Sequence, residues 1–156
     1  MGTLCVSLDK ASVANQLVNL INKNNQLKRI QTVSSILSGK TKYLVEFGGY
    51  NVRNSKQERL VVGCIGLELL QPDVLLLKHL STHGKFRRLG IANSLLSSAL
   101  KECTTNHVRM RIRTDNYPSL NLAEKFGFVY LFHENLGEYN IITVGRNINN
   151  GIERNR

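Results

Sequence analysis

The chain has 156 residues, 42% of them apolar, and a formal net charge of +10, so it is long enough for one buried core and too apolar to be disordered. No apolar run approaches the roughly 18 residues that span a bilayer, and the N-terminus lacks a basic segment leading into a long apolar one; a soluble, cytoplasmic protein with no membrane partner is expected. Cys5, Cys64 and Cys103 are far apart with no C-x-x-C, which argues against zinc or a disulfide framework, and no metal is expected. The basic surplus attracts anions such as a phosphate-bearing cofactor, nucleic acid or an acidic protein, without saying which.

In chain order, Thr3 to Leu8 alternates as a strand does, and Asp9 offers an N-cap to a helix whose Val13, Leu17, Leu20 and Ile21 keep helical spacing. Asn22 to Asn25 breaks it, and a second, weaker helix from about Leu27 to Leu37 stops at Gly39. Tyr43 to Phe47 is a strand, Gly48 to Glu58 a polar turn or loop, and Leu60 to Leu69 a strand close enough to pair with the first as a hairpin. Gln71-Pro72-Asp73 turns the chain into another apolar strand, Val74 to Leu80.

The stretch that follows carries chemistry. Lys85-Phe86-Arg87-Arg88-Leu89-Gly90-Ile91-Ala92 leads into a helix starting near Gly90, with Ala92, Leu95, Leu96, Ala99, Leu100 and Cys103 forming one apolar stripe. Strand, basic glycine-bearing turn and helix in this order make an anion site. The first helical turn has N–H groups without intrahelical partners, its dipole is positive there, and glycine lets a ligand approach the main chain. Arg87 and Arg88 add charge suited to phosphate oxygens. A strand-to-helix corner with two solvated arginines would look the same on these residues alone.

Downstream, His107 to Thr114 alternates strictly, with Val108, Met110, Ile112 and Thr114 on one face and Arg109, Arg111 and Arg113 on the other. Pro118 suits the first turn of a further helix ending at Gly127, with Phe128 as its apolar follow-up. Val129 to Glu134 and Tyr139 to Val144 are the last strands, and the Asn- and Arg-rich tail from Asn147 is expected to fray. There is no internal repeat, so residues 1–146 are expected to form one domain, with 147–156 as its tail.

The element order is β-α-α-β-β-β-α-β-α-β-β, an α/β fold, and with its motifs it resembles the GNAT superfamily, the Gcn5-related N-acetyltransferases. Arg87-Arg88-Leu89-Gly90-Ile91-Ala92 is similar to the family's Gln/Arg-x-x-Gly-x-Gly/Ala motif, and the segment from Asn116 to Phe128 is similar to its second motif, with Leu122, Lys125 and the closing Gly127-Phe128 in place. The resemblance implies a mixed, mostly antiparallel sheet with helices on both faces. It also implies acetyl-CoA as cosubstrate, with pyrophosphate on the turn (Arg87, Arg88, Leu89, Gly90, Ile91, Ala92) and pantetheine between splayed strands 77–82 and 108–114. Leu80, Ser81 and Thr82 would contact the cofactor, as would Asn116 and Lys125. The family strand before the turn carries a bulge, and here Leu77 and Leu80 lie three apart, breaking the period of two. N–H groups near Leu80 and Ser81 would then polarise the thioester carbonyl.

The resemblance further implies acetyl transfer to a primary amine by direct attack in a ternary complex. Many family members use a tyrosine after the motif leucine as general acid; that position is Ala123 here, so the role does not transfer. His79 is a candidate proton relay, Glu68 a candidate base through water, and Tyr117 a candidate donor, with Tyr130, His133 and Tyr139 behind it. The acceptor is a protein or peptide amine or a small-molecule amine, and an amine carried on RNA stays open. A polycationic acceptor suits so basic a chain less well. Arg109, Arg111 and Arg113 would receive an acidic protein or an RNA backbone, or would simply form a solvated face. Monomer and homodimer both stay open. From a different class, the alternative is a catalytically degraded CoA-binding or RNA-binding module, which Ala123 favours.

Overall fold

The computed structural model describes residues 3–5, 11–24, 30–53 and 56–148. Its elements are β1 (Thr3–Cys5), α1 (Ala11–Lys23), α2 (Val33–Ser38), β2 (Lys42–Arg53), β3 (Lys56–Gln71), β4 (Val74–Thr82), a 3-10 turn (Gly84–Phe86), α3 (Ile91–Glu102), β5 (His107–Arg113), α4 (Tyr117–Lys125), β6 (Val129–Asn135) and β7 (Asn140–Asn147). Seven strands hydrogen-bond in the order β1-β2-β3-β4-β5-β7-β6. The β1–β2, β2–β3, β5–β7 and β6–β7 ladders are antiparallel, and β4–β5 is parallel. This is the mixed, mostly antiparallel α/β fold expected. The chain clusters into two compact units, the first Met1–Leu67 with His79–Leu100, the second Glu68–Lys78 with Lys101–Arg156.

In the first unit, α1 buries Val13, Ala14, Leu17, Leu20 and Ile21 along one stripe, and these pack with Ile36, Tyr43, Val45, Val61 and Cys64. The predicted cap Asp9 lies outside the described residues. The second helix begins at Val33, where Thr32 and Ser35 form a reciprocal capping box that sets its start, and the expected beginning near Leu27 lies outside the described residues. Gly39 ends it, as expected, in an extended conformation, φ −73°. A side chain there would meet the Ser35 carbonyl, 2.5 Å from the Cβ position.

The predicted loop over Gly48 to Glu58 is instead hairpin. Pairing runs from Lys42↔Leu67 to Arg53↔Lys56, with register shifts around Phe47 to Tyr50, so Gly48-Gly49 is an irregularity inside a strand and not its end. Main-chain pairing needs no apolar sequence, which is why a polar segment read as loop. Next to the irregularity, the Gln16 side chain donates to the Arg59 carbonyl (2.8 Å) and accepts from the Val61 N–H (2.9 Å), satisfying strand groups from α1. Val61 to Leu67 is buried at every residue, as the apolar run predicts for a strand covered on both faces.

Gly63 lies within that run. A Cβ there would stand 2.6 Å from Ile91 Cγ2, 3.0 Å from Leu95 Cδ1 and 3.2 Å from the Ser81 carbonyl oxygen. The first turn of α3 therefore rests directly on β3 main chain, with Ile91, Leu95, Leu96 and Ala99 as its buried face. Ile91 leads this stripe, whereas Ala92 and Leu100 are only half-buried.

In the second unit, β5 buries Val108, Met110 and Ile112 and leaves Arg109, Arg111 and Arg113 half-buried, the alternation expected. Asn116 caps α4, its Oδ1 accepting from the Ser119 N–H at 3.3 Å. The helix ends with Gly127 left-handed (φ 83°) and the Phe128 N–H bonded to the Ala123 carbonyl at 3.0 Å, while Phe128 is buried. Strand β7 runs on to Asn147, past the predicted Val144, because it pairs with the whole of β5. Residues 149–156 of the predicted tail lie outside the described residues.

Gly63→Ala should lower stability by about 1–3 kcal/mol, since Ile91 is branched at Cβ and its Cγ2 has no spare rotamer to yield. Thermal melts should show a drop of about 2–4 °C per kcal/mol. An unchanged melting temperature would mean α3 shifts freely on the sheet.

Candidate functional site

From β4 to the start of α3, three residues have left-handed backbone: His79 (φ 56°), Arg88 (φ 63°) and Gly90 (φ 77°). His79 sits inside β4 between Leu77 and Leu80, so the strand's alternation breaks there. The parallel ladder of β4 with β5 ends at Leu77↔Met110, two residues earlier.

After β4 the chain is tied down before it reaches the helix. The His83 N–H donates to the Val62 carbonyl (2.7 Å) and the Phe86 N–H to the His83 carbonyl (2.8 Å), while His83 Nδ1 accepts from the Lys85 N–H (3.2 Å). The 3-10 turn this closes has no counterpart in the apolar pattern. Arg87 Nη2 then bonds Asn24 Oδ1 at 2.9 Å, holding the turn to the end of α1. Arg87, Arg88, Leu89 and Gly90 are all exposed, and a Cβ at Gly90 would meet nothing within 4 Å. Space is open where an anion would approach. The helical ladder opens with the Ser94 N–H to the Gly90 carbonyl at 3.0 Å, so the N–H groups of Ile91 and Ala92 head the helix with the positive end of its dipole. The Ile91 side chain is core, at 3% exposure, and only its main chain is available to a ligand. Ser81 is buried, Leu80 and Thr82 half-buried.

His79 is a candidate with a partner suited to proton transfer. Its Nδ1 lies 2.8 Å from the Tyr43 hydroxyl, and the two rings stack at 5.9 Å between centroids. Tyr43 is a residue that sequence reasoning missed as functional. It lies 36 positions away in β2, and nothing local marks it. Gly63 was missed too, although a glycine inside an apolar strand is itself a signal of close approach. The Cys64 thiol points to the His79 carbonyl at 3.4 Å. Burial pushes it up from 9.0 to about 12, against an opposing hydrogen bond to the Ser81 main chain.

The other candidates lie in the second unit. Glu68 is ion-paired with Lys78 at 3.2 Å, both about a quarter exposed. Tyr117 begins α4 with its side chain in solvent, at 68% exposure. Asn116 and Lys125 stand at opposite ends of α4, about 13 Å apart along the axis at 1.5 Å per residue. Lys125 is brought instead to a pocket with Arg109 and Arg146. Ala123 is 1% exposed, so the position where the family tyrosine stands is packed interior here. Tyr130 Oη bonds His133 Nδ1 at 2.6 Å on exposed β6.

The arginine row is largely occupied. Arg111 pairs with Glu134 at 3.3 Å, and Arg113 makes two bonds to Asp115, at 3.0 and 2.8 Å, and lies over the Tyr139 ring. Arg109 has no hydrogen-bond or ion-pair partner among the described residues. Among those residues no cluster of His, Cys, Asp or Glu is fit to hold a metal ion, and no helix is long and apolar enough to cross a membrane.

Comparison with known proteins bears on this arrangement. A family signature described as Acetyltransferase (GNAT) family matches residues 34–128. No curated protein matches the chain. Among solved structures, an aminoglycoside 6'-N-acetyltransferase complexed with coenzyme A superposes with a TM-score of 0.76 at 11% identity, covering 95% of this chain and 97% of that one. The ribosomal-protein-alanine N-acetyltransferase from Brucella melitensis gives 0.71 at 14% identity, covering 95% and 100%. NAA60 of Arabidopsis thaliana, in complex with a bisubstrate analogue, gives 0.72 at 12% identity, covering 95% and 99%. These identities carry the fold. The signature spans more than half the chain and includes β4, the basic turn, α3 and α4, and by it the chain belongs to the GNAT acetyltransferase family.

Proposed function

We propose that this protein transfers acetyl from acetyl-CoA to a primary amine in a ternary complex, without a covalent enzyme intermediate. The observation that carries this is the exposed left-handed turn at Gly90, open to a ligand and set at the head of a helix seated on Gly63. The N–H groups of the turn and of Ile91 and Ala92 hold the pyrophosphate, and Arg87 and Arg88 supply charge. Main-chain N–H groups at Leu80 and Ser81, after the break at His79, polarise the thioester carbonyl.

The amine nitrogen attacks the carbonyl carbon, the C–S bond breaks and CoA leaves as thiolate. His79 accepts the proton the amine loses, its other ring nitrogen oriented by Tyr43, and water returns a proton to the thiolate. Cys64 stays a protonated thiol at neutral pH and takes no part as nucleophile. Glu68 is neutralised by Lys78 and Tyr117 is solvent-borne, which lends them less support than His79. The acceptor is a protein or peptide amine or a small-molecule amine. Although one similar structure is an aminoglycoside acetyltransferase, a net charge of +10 opposes a polycationic acceptor here. Arg111 and Arg113, already paired within the protein, weaken the case for an acidic protein or RNA lying along the arginine row.

A second reading, a CoA-binding module that has lost catalysis, is favoured by Ala123, a buried residue without the usual phenol.

Gly90→Glu should weaken acetyl-CoA binding by about two orders of magnitude, the worth of one or two hydrogen bonds to a charged group. Gly90→Asn, which tolerates left-handed backbone, should fold and bind far better. Calorimetry on both variants checks this, and wild-type affinity in a folded Gly90→Glu protein would remove the cofactor site from the turn.

His79→Asn keeps the left-handed backbone and should lower kcat by about 10² with acetyl-CoA affinity unchanged, Tyr43→Phe having the smaller effect. The measurement is thiol release from acetyl-CoA over a panel of amines. No release by the wild type with any amine, despite tight binding, would favour the second reading; undiminished kcat in His79→Asn would remove the relay.

Cys64 also sets a pH dependence. A thiol raised from 9.0 to about 12 in the fold contributes stability that is whole below pH 9 and is lost as pH rises towards 12. The difference in melting temperature between wild type and Cys64→Ala should therefore shrink across that alkaline window and be constant below it.

A further inference from the structure

The sheet ends at β6, which pairs with β7 on one side and, among the described residues, with no strand on the other. An edge strand presents a row of main-chain N–H and C=O groups that can take up a further strand, and edges are ordinarily guarded by lysines, by proline or by shortness. Over its seven residues, Val129–Asn135, β6 has none of these guards. Every residue of it except Glu134 is exposed. Val129, Tyr130, Leu131 and Phe132 are four successive large side chains at 62%, 57%, 42% and 43% exposure, and Leu136 in the turn that follows stands at 46%.

The register explains how they are arranged. Val129 stands opposite Gly145 and Phe132 opposite Thr143, two residues apart in β7, so both lie on one face. Leu131 sits at the register shift as the extra residue, and its Cδ1 is 2.6 Å from where a Cβ of Gly145 would stand, which places it on that face too. One face of the edge therefore carries three apolar side chains in a row. Tyr130, opposite Val144, is on the other face, its hydroxyl 2.6 Å from His133 Nδ1.

Charge sets the same edge apart. From Phe126 to Gly145 no Lys or Arg occurs, the longest such gap in a chain that has 21 of them, and Glu134 and Glu138 lie within it. Two molecules of net charge +10 repel each other, and this stretch brings no cation of its own against its copy. The exposed parts of the five apolar residues offer on the order of 450 Å² per molecule, so a symmetric pair with its main-chain edges reaches the roughly 1,000 Å² that a specific interface needs.

We propose that β6 is a homodimer interface, in which the β6 edges of two copies pair antiparallel about a two-fold axis near Leu131 and continue the sheet from one molecule into the other. An antiparallel edge is self-complementary under such an axis, because the donors and acceptors of one copy meet the acceptors and donors of the other, and the contact closes at two subunits. About that axis Tyr130 of one copy stands near Phe132 of the other and Val129 near His133, and no carboxylate faces another. This does not rest on the acetyl transfer reading.

The test is sedimentation velocity on the whole chain from low micromolar to millimolar concentration, with hydrogen exchange of the β6 amides followed over the same range. A dimer should form, and exchange at residues 129–135 should slow as it does. Phe132→Lys puts a lysine into the edge and should weaken the dimer at least about tenfold. Val129→Lys, at the most exposed of these positions, is the second variant and should do the same, so a folding defect in one variant leaves the other to decide. A monomer at every concentration would overturn the proposal. So would a dimer that neither variant weakens, since its interface lies elsewhere, and association that runs past the dimer into polymers. Slow exchange of the β6 amides in a monomer would mark cover by another part of the same chain, and would overturn it as well.

Discussion

The basic turn before α3 depends on how near the main chain of β3 lies to the first turn of α3, a closeness that only a residue without a side chain permits. At Gly63 the Cβ position falls within 2.6 Å of Ile91 and 3.2 Å of the Ser81 carbonyl oxygen, so helix, strand and β4 meet at one point. A helix seated this closely has its N-terminal N–H groups held in one place, and orientation is what converts a weak dipole into a ligand site. The exposed turn residues are anchored in the same way, Arg87 to Asn24 and His83 to Val62, so little ordering is left for a ligand to impose.

Backbone strain and burial are concentrated close to that seat. His79 holds a left-handed conformation that costs a non-glycine residue about 1 to 2 kcal/mol, and its surroundings hold it there through Tyr43 on its ring and Cys64 on its carbonyl. The same burial that lets Cys64 support the main chain keeps its thiol protonated.

Charge is distributed less uniformly than a net +10 suggests. Arg111 and Arg113 are spent on Glu134 and Asp115, and the arginine row that looks like a continuous cationic surface is reduced to Arg109. Arg146, opposite Val108 in the register, lies on the other face of the sheet from Arg109, which stands opposite Gly145.

What the sequence by itself determined was local: helix stripes such as Val13-Leu17-Leu20-Ile21, the alternation of β5, the glycine ends of α3 and α4, and the order of strand, basic turn and helix. These are legible because periodicity and turn chemistry act over a few residues. The polar hairpin across Gly48 to Glu58 was not legible, since main-chain pairing leaves no apolar trace, and neither was the Thr32 cap that starts α2. Only the tertiary structure decided which side chains meet: Tyr43 with His79, Glu68 with Lys78, Arg111 with Glu134, and Ala123 with the interior. Contacts of that kind are set by strand register and helix seating, which join residues tens of positions apart and leave no periodic mark in the chain.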